Sequence, residues 1–177
     1  PAVSLPTLQE LKVHADEVHD TGGAALAATM GAVSAEHLLA ASDEGISALA
    51  KSGTTAILLP ATAYSLRKPF ARARAMIEHG VPVALATDCN PGSSFTESMP
   101  FVFGLAVMAM GLTVEEALTA ATKNSACAVG MGTVCGTLEP GKQADFLLLD
   151  GETPAILAYH AGVSAVEGVY KKGEQIR

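Results

Sequence analysis

Apolar residues in the first half of the chain fall in short blocks, separated by longer stretches where they recur at helical spacing. The blocks Leu11–Ala15, Ala32–Leu38, Thr54–Leu59 and Val81–Thr87 have the length of strands, and Pro60 ends the third of them. Between them lie an alanine-rich helix over Thr21–Gly31, a helix capped by Ser42 that runs through Lys51 to Gly53, and a basic helix from about Pro69 to His79, stopped by Gly80. Apolar strands alternating with single helices predict an α/β fold with a parallel sheet covered on both faces. The strands begin roughly 20–27 residues apart, the length of a βα unit.

The rhythm changes after Asp88. Ser98–Met110 and Thr113–Thr122 read as helices, the second opened by the capping pair Thr113 and Glu116, and a short helix follows over Ser125–Val129. From Gly136 the pattern turns β-like, in Leu138–Asp150, Ile156–Tyr159 and Ala165–Lys171, with a turn at Pro140-Gly141. A boundary near Met131–Gly136 divides the chain into residues 1–133 and 134–177.

Composition narrows the function classes. The chain is 49% hydrophobic and 16% charged, with a mean hydropathy of +0.33, which suits elements buried on more than one face. A net charge of −7 argues against a nucleic-acid partner. The longest uncharged stretch, Met99–Leu112, is too short to cross a bilayer and reads as a buried helix. Cys89, Cys127 and Cys135 form no CxxC pair, so they read as bystander thiols of a reducing, cytoplasmic location, with Cys89 alone beside a candidate site.

In strand–helix folds of this kind, reactive groups gather at the carboxyl ends of the strands. Here the first strand ends in His14-Ala15-Asp16-Glu17, the second at His37 and the fourth at Asp88. Each residue has a plain alternative. A lone strand-end histidine is often a hydrogen-bonded rim residue, Glu17 can be solvated, and Asp88 can cap the Asn-Pro-Gly turn after it. Their convergence on one edge favours the chemical reading. The loop Asn90-Pro91-Gly92-Ser93-Ser94 offers amide, hydroxyl and backbone N–H groups beside Asp88, or is an ordinary turn.

The segments KVHADE (Lys12–Glu17), GAVSAEHL (Gly31–Leu38), VPVALATDCNPGSS (Val81–Ser94), ESMPFV (Glu97–Val102), TVEEALTAATKNSACAVG (Thr113–Gly130) and LEPGKQADFLLLD (Leu138–Asp150) resemble the amidohydrolase superfamily. HADE followed by TDCNPGSS is similar to the branch that opens a cyclic amide in histidine degradation. The resemblance implies the C-terminal half of a TIM-like (β/α)8 barrel over 1–133, with part of a small β-sandwich over 134–177. It implies His14 and Asp88 as ligands of one Zn²⁺ or Fe³⁺, and Glu17 and His37 as catalytic groups. Glu17, Asn90, Gly92 and Ser93 then contact a small-molecule substrate, in an enzyme that is a homodimer when intact.

The superfamily also draws an H-x-H pair from its first barrel strand. The five histidines here, His14, His19, His37, His79 and His160, include no pair two residues apart. A full barrel takes about 250 residues, and four βα units are visible. The expectation is therefore a C-terminal piece, inactive alone, which self-associates or needs its missing half because a half barrel bares two sheet edges. Two other readings stay open: a different amidohydrolase acting on a cyclic imide or purine-like ring, and a non-catalytic half-barrel module.

Overall fold

The computed structural model describes residues 11–177, so the first ten residues of the predicted 1–133 unit lie outside it. Four strands, β1 (Lys12–Ala15), β2 (Ser34–His37), β3 (Thr55–Leu58) and β4 (Val83–Leu85), form one parallel sheet in the order β1-β2-β3-β4. Helix α1 (Gly23–Thr29) joins β1 to β2, and α2 (Asp43–Ser52) joins β2 to β3. Ser42 caps α2 by accepting the Gly45 N–H, and Gly53 ends it at φ 74°, as its sequence predicts. Gly45 also lets α1 and α2 touch, since a Cβ there would lie 2.9 Å from Ala24 Cβ.

The crossover from β3 to β4 departs from the sequence reading. Pro60 does not merely end the strand: it opens a helix, α3 (Pro60–Ser65). Proline suits a first helical position, where its missing N–H has no partner to lose. The basic helix is shorter than predicted, α4 (Ala73–Glu78).

After β4 come α5 (Met99–Met108) and α6 (Val114–Thr119), which opens with the predicted capping box of Thr113 and Glu116. Arg74 of α4 grips the same Glu116 with both guanidinium nitrogens, at 3.0 and 2.7 Å. Glu116 consequently titrates below the ordinary glutamate range, first through Arg74 and then through the Thr113 N–H. A π-helical turn at Ala120–Asn124 leads into α7 (Ser125–Ala128).

The junction of that turn with α7 directs two side chains at β4. Asn124 Nδ2 donates to the Val83 carbonyl (2.7 Å), and the Ser125 hydroxyl is shared between the Leu85 carbonyl (2.9 Å) and the Ala120 carbonyl (2.7 Å). Pro82 O and Ala86 N bond to β3, so by alternation the Val83 and Leu85 carbonyls face away from it. Two outward carbonyls of β4 are therefore occupied by side chains. On one sheet face Ala15, Ala35, Ala56, Leu58, Val83 and Leu85 pack into the main core with the helices; on the other, Ile57, Leu59 and Ala84 meet Ala128 of α7.

The C-terminal region forms an antiparallel sheet of β5 (Phe146–Leu149), β6 (Val166–Lys171) and β7 (Glu174–Gln175). Of the predicted β segment Leu138–Asp150 only Phe146–Leu149 is strand. Ile156–Tyr159 is a helical turn, α8, packed on α5, because a four-residue apolar run fits either period. No helix among the described residues is long and apolar enough to cross a membrane.

Candidate active site

Parallel pairing places the carboxyl ends of all four strands on one edge, and the predicted residues lie along it. His14 is the third residue of β1 and pairs in register with Glu36; His37 ends β2 beside Ala15. His14 Nδ1 and His37 Nε2 are 3.1 Å apart, and one donates to the other according to tautomer. His37 is buried, and its Nδ1, with no hydrogen-bond partner among the described residues, lies 3.6 Å from Glu17 Oε1. His14, His37 and Glu17 thus form one line at the end of β1 and β2.

Asp88 lies three residues beyond β4 and is partly exposed. Its Oδ2 accepts a 2.6 Å hydrogen bond from the hydroxyl of Thr62, a fully buried residue of α3. The sequence reading gave β3 no contribution to the site, because α3 was hidden behind Pro60.

Backbone conformation marks the same edge. Asp16, His37, Leu38 and Asp88 have φ of 49°, 71°, 59° and 53°, four of the six non-glycine residues with positive φ among those described. Each such residue costs on the order of 1–3 kcal/mol and persists only where its surroundings enforce it. Asp16 shows how. Its buried carboxylate accepts the N–H groups of Thr21, Gly23 and Ala24 and the Thr21 hydroxyl, all at 2.9–3.3 Å. Burial works against its ionisation, but the N–H groups of Thr21, Ala24 and Gly23 outweigh it and hold the carboxyl below the usual range. Its carbonyl accepts the Ala40 N–H, tying the turn that carries Glu17 to the segment after His37.

The loop after Asp88 is self-contained. Asn90 Nδ2 donates to the Asp88 carbonyl (2.7 Å) and Ser93 Oγ (3.1 Å), while its Oδ1 accepts the N–H groups of Gly92 and Ser93 (both 2.8 Å). Asn90, expected to touch substrate, spends both donor hydrogens on shaping the loop. Ser94, buried and bonded to the Thr87 carbonyl, anchors the loop's far end. Cys89 is a free, exposed thiol.

Beneath this edge lies a polar group that sequence reasoning missed. Lys12 Nζ donates to Ser34 Oγ (2.5 Å), Ser34 Oγ to Glu36 Oε1 (2.6 Å), and Lys12 pairs with Glu36 at 3.2 Å. Lys12 also reaches the Ala128 carbonyl at 3.3 Å, fastening α7 across the sheet. Alternation along β1 and β2, which puts Lys12, His14, Ser34 and Glu36 on one face, was the available signal.

The donor types at the edge, imidazole and carboxylate, suit zinc or iron. Among the described residues, however, no three His, Cys, Asp or Glu side chains converge to hold a metal. The residues present fit an ion as part of its ligand set, and further donors would have to complete it.

The family model for amidohydrolases matches residues 8–176. The chain belongs to the amidohydrolase family. Among curated relatives, this amidohydrolase chain is 68% identical over 166 residues to an imidazolonepropionase of Desulfotalea psychrophila, covering 94% of this chain and 40% of the relative. It is 63% identical to an imidazolonepropionase of Syntrophobacter fumaroxidans, covering 95% and 40%. The chain therefore spans about 40% of the length of these relatives. Among solved structures, an adenosine deaminase from Xanthomonas campestris with bound zinc superposes with a TM-score of 0.77 at 23% identity, over 93% of this chain and 44% of that one. An amidohydrolase from Thermotoga maritima gives 0.72 at 24%, over 94% and 43%. These likenesses show a TIM-barrel-like α/β fold.

Proposed function

We propose that this chain is the C-terminal part of a cytoplasmic imidazolonepropionase, which hydrolyses the cyclic amide of 4-imidazolone-5-propanoate to N-formimidoyl-L-glutamate. The observation that carries the reading is the line of His14, His37 and Glu17 at the end of the parallel sheet, with Asp88 on the same edge, in a chain 68% identical to an enzyme of that name. Residues 11–133 correspond to strands five to eight of the barrel, and 134–177 to this chain's share of a small β-sandwich.

His14 and Asp88 would hold a metal ion together with donors from the preceding barrel strands. A bound Zn²⁺ or Fe³⁺ supplies Lewis acidity, lowering the pKa of a water and polarising the lactam carbonyl. Glu17 accepts a proton from the attacking water and delivers it to the departing ring nitrogen. His37 accepts from His14 through Nε2 and turns its Nδ1 toward Glu17, so it orients the carboxylate that handles the proton. Its burial limits competition from bulk water for these contacts. The Asn90–Ser94 loop borders the substrate space beside Asp88, with Asn90, Gly92 and Ser93 as its contact residues, and the Asn90 amide also braces the loop from within.

The test is turnover of imidazolonepropionate by the full-length protein and its Glu17→Gln variant. General acid–base groups contribute typically 10²–10⁴-fold, so kcat should fall by roughly that factor. An unchanged kcat in a folded, metal-loaded Glu17→Gln enzyme would remove Glu17 from the proton transfer. Absence of imidazolonepropionate turnover by the wild-type protein would remove the substrate assignment.

A further inference from the structure

Asp88 is held from two directions. Its carbonyl accepts Asn90 Nδ2 at 2.7 Å, fixing the left-handed backbone at φ 53°. Its carboxylate is held from α3, where the Thr62 hydroxyl donates to Oδ2 at 2.6 Å. Thr62 is wholly buried, between the equally buried Ala61 and Ala63, and α3 packs on α5, so the donor has a fixed place. Asp88 Oδ1 has no such bond among the described residues.

An aspartate carboxylate has a broad, two-fold torsion about its last bond, and a hydrogen bond from a rigid donor selects one setting of it. Threonine on a helix is confined to two χ1 settings, and the full burial of Thr62 holds the one that reaches Asp88. We infer that Thr62 is a positioning residue for Asp88, locking one carboxylate oxygen so that the other is presented to a cation at the end of the sheet. The inference rests on the reading of Asp88 as a metal ligand. Preorganising a ligand in this way removes an ordering cost that binding would otherwise bear, and outer hydrogen bonds to metal ligands typically change affinity by 10–100-fold.

The experiment measures Zn²⁺ affinity by chelator competition in the full-length protein, comparing wild type with Thr62→Val, Thr62→Ser and Asp88→Asn. Thermal unfolding of each metal-free protein is recorded alongside. Thr62→Val is expected to weaken Zn²⁺ binding about 10–100-fold, Thr62→Ser to stay near wild type, and Asp88→Asn to lose more than either. Thr62→Ser should keep its Zn²⁺ affinity even though loss of a buried methyl lowers its metal-free melting temperature, whereas a merely structural role would make affinity follow melting temperature across the variants. Wild-type Zn²⁺ affinity in Thr62→Val, with affinity lost in Asp88→Asn, overturns the positioning role and leaves Asp88 a ligand. Wild-type affinity in Asp88→Asn overturns the ligand reading, and the inference with it. Should Thr62→Val fail to fold, Thr62→Ala against Thr62→Ser makes the same comparison of hydroxyl with none.

Discussion

Replacing Asp16 by alanine removes the acceptor of three backbone N–H groups and one hydroxyl at the start of α1. The bonds share one carboxylate, so their energies do not simply add. Loss of a helix-capping acceptor costs about 0.5–2 kcal/mol. The Ala24 N–H belongs to a fully buried residue, and leaving it unsatisfied adds about 1–2 kcal/mol. Alanine is also poorly suited to the left-handed backbone at φ 49°, worth about a further 1 kcal/mol. The total is about 2.5–5 kcal/mol, or roughly two to three and a half decades in a local opening equilibrium. Asp16→Asn keeps one acceptor oxygen and tolerates the left-handed region, so it should lose only about 1–2 kcal/mol. Amide hydrogen exchange over residues 21–29 reads this directly, since protection reports the free energy of local opening. If protection in Asp16→Ala fell by less than a decade, the carboxylate would not be what holds this turn.

Two further outcomes follow from contacts away from the catalytic edge. The Glu116 carboxylate has a depressed pKa in the folded chain, so its stabilising effect is present above the ordinary glutamate value of 4.5 and is lost as pH falls through the folded value. Thermal melts from pH 7 to pH 3 should therefore show wild type above Glu116→Gln at neutral pH, with the gap closing in acid; a constant gap would rule the linkage out. Asn124→Ala uncaps the Val83 carbonyl and should cost about 1–2 kcal/mol. Faster amide exchange in β4 and a rise in self-association by light scattering are the readouts, and unchanged values for both would refute the capping role.

Much of the fold was legible because local and long-range preferences agree. Ser42, Gly53 and the Thr113–Glu116 pair announce their helix ends by side-chain chemistry that acts within one turn. The strand blocks show because a sheet covered on both faces needs consecutive apolar residues. Where one residue serves two geometries, the reading failed: Pro60 stops a strand as readily as it starts a helix, and Ile156–Tyr159 is too short to reveal a period. At the site, His14, Glu17, His37 and Asp88 were identifiable as strand-end residues, and the family resemblance gave them roles. Thr62 and the Asp16 clamp were not, since each depends on a contact made only after the chain has folded back, and the Lys12–Ser34–Glu36 group showed only as an alternation along β1 and β2. The left-handed backbone at His37 and Leu38 is likewise invisible in residue types that rarely adopt it.

Asn124 and Ser125 reach the outward carbonyls of Val83 and Leu85 from the junction of the π-helical turn with α7. A neighbouring molecule adding a strand along that flank of β4 would need those same carbonyls as acceptors. Strand addition there first has to displace two side chains from the positions it would use. The junction thus works as a guard against templated fibre growth along this flank of the sheet.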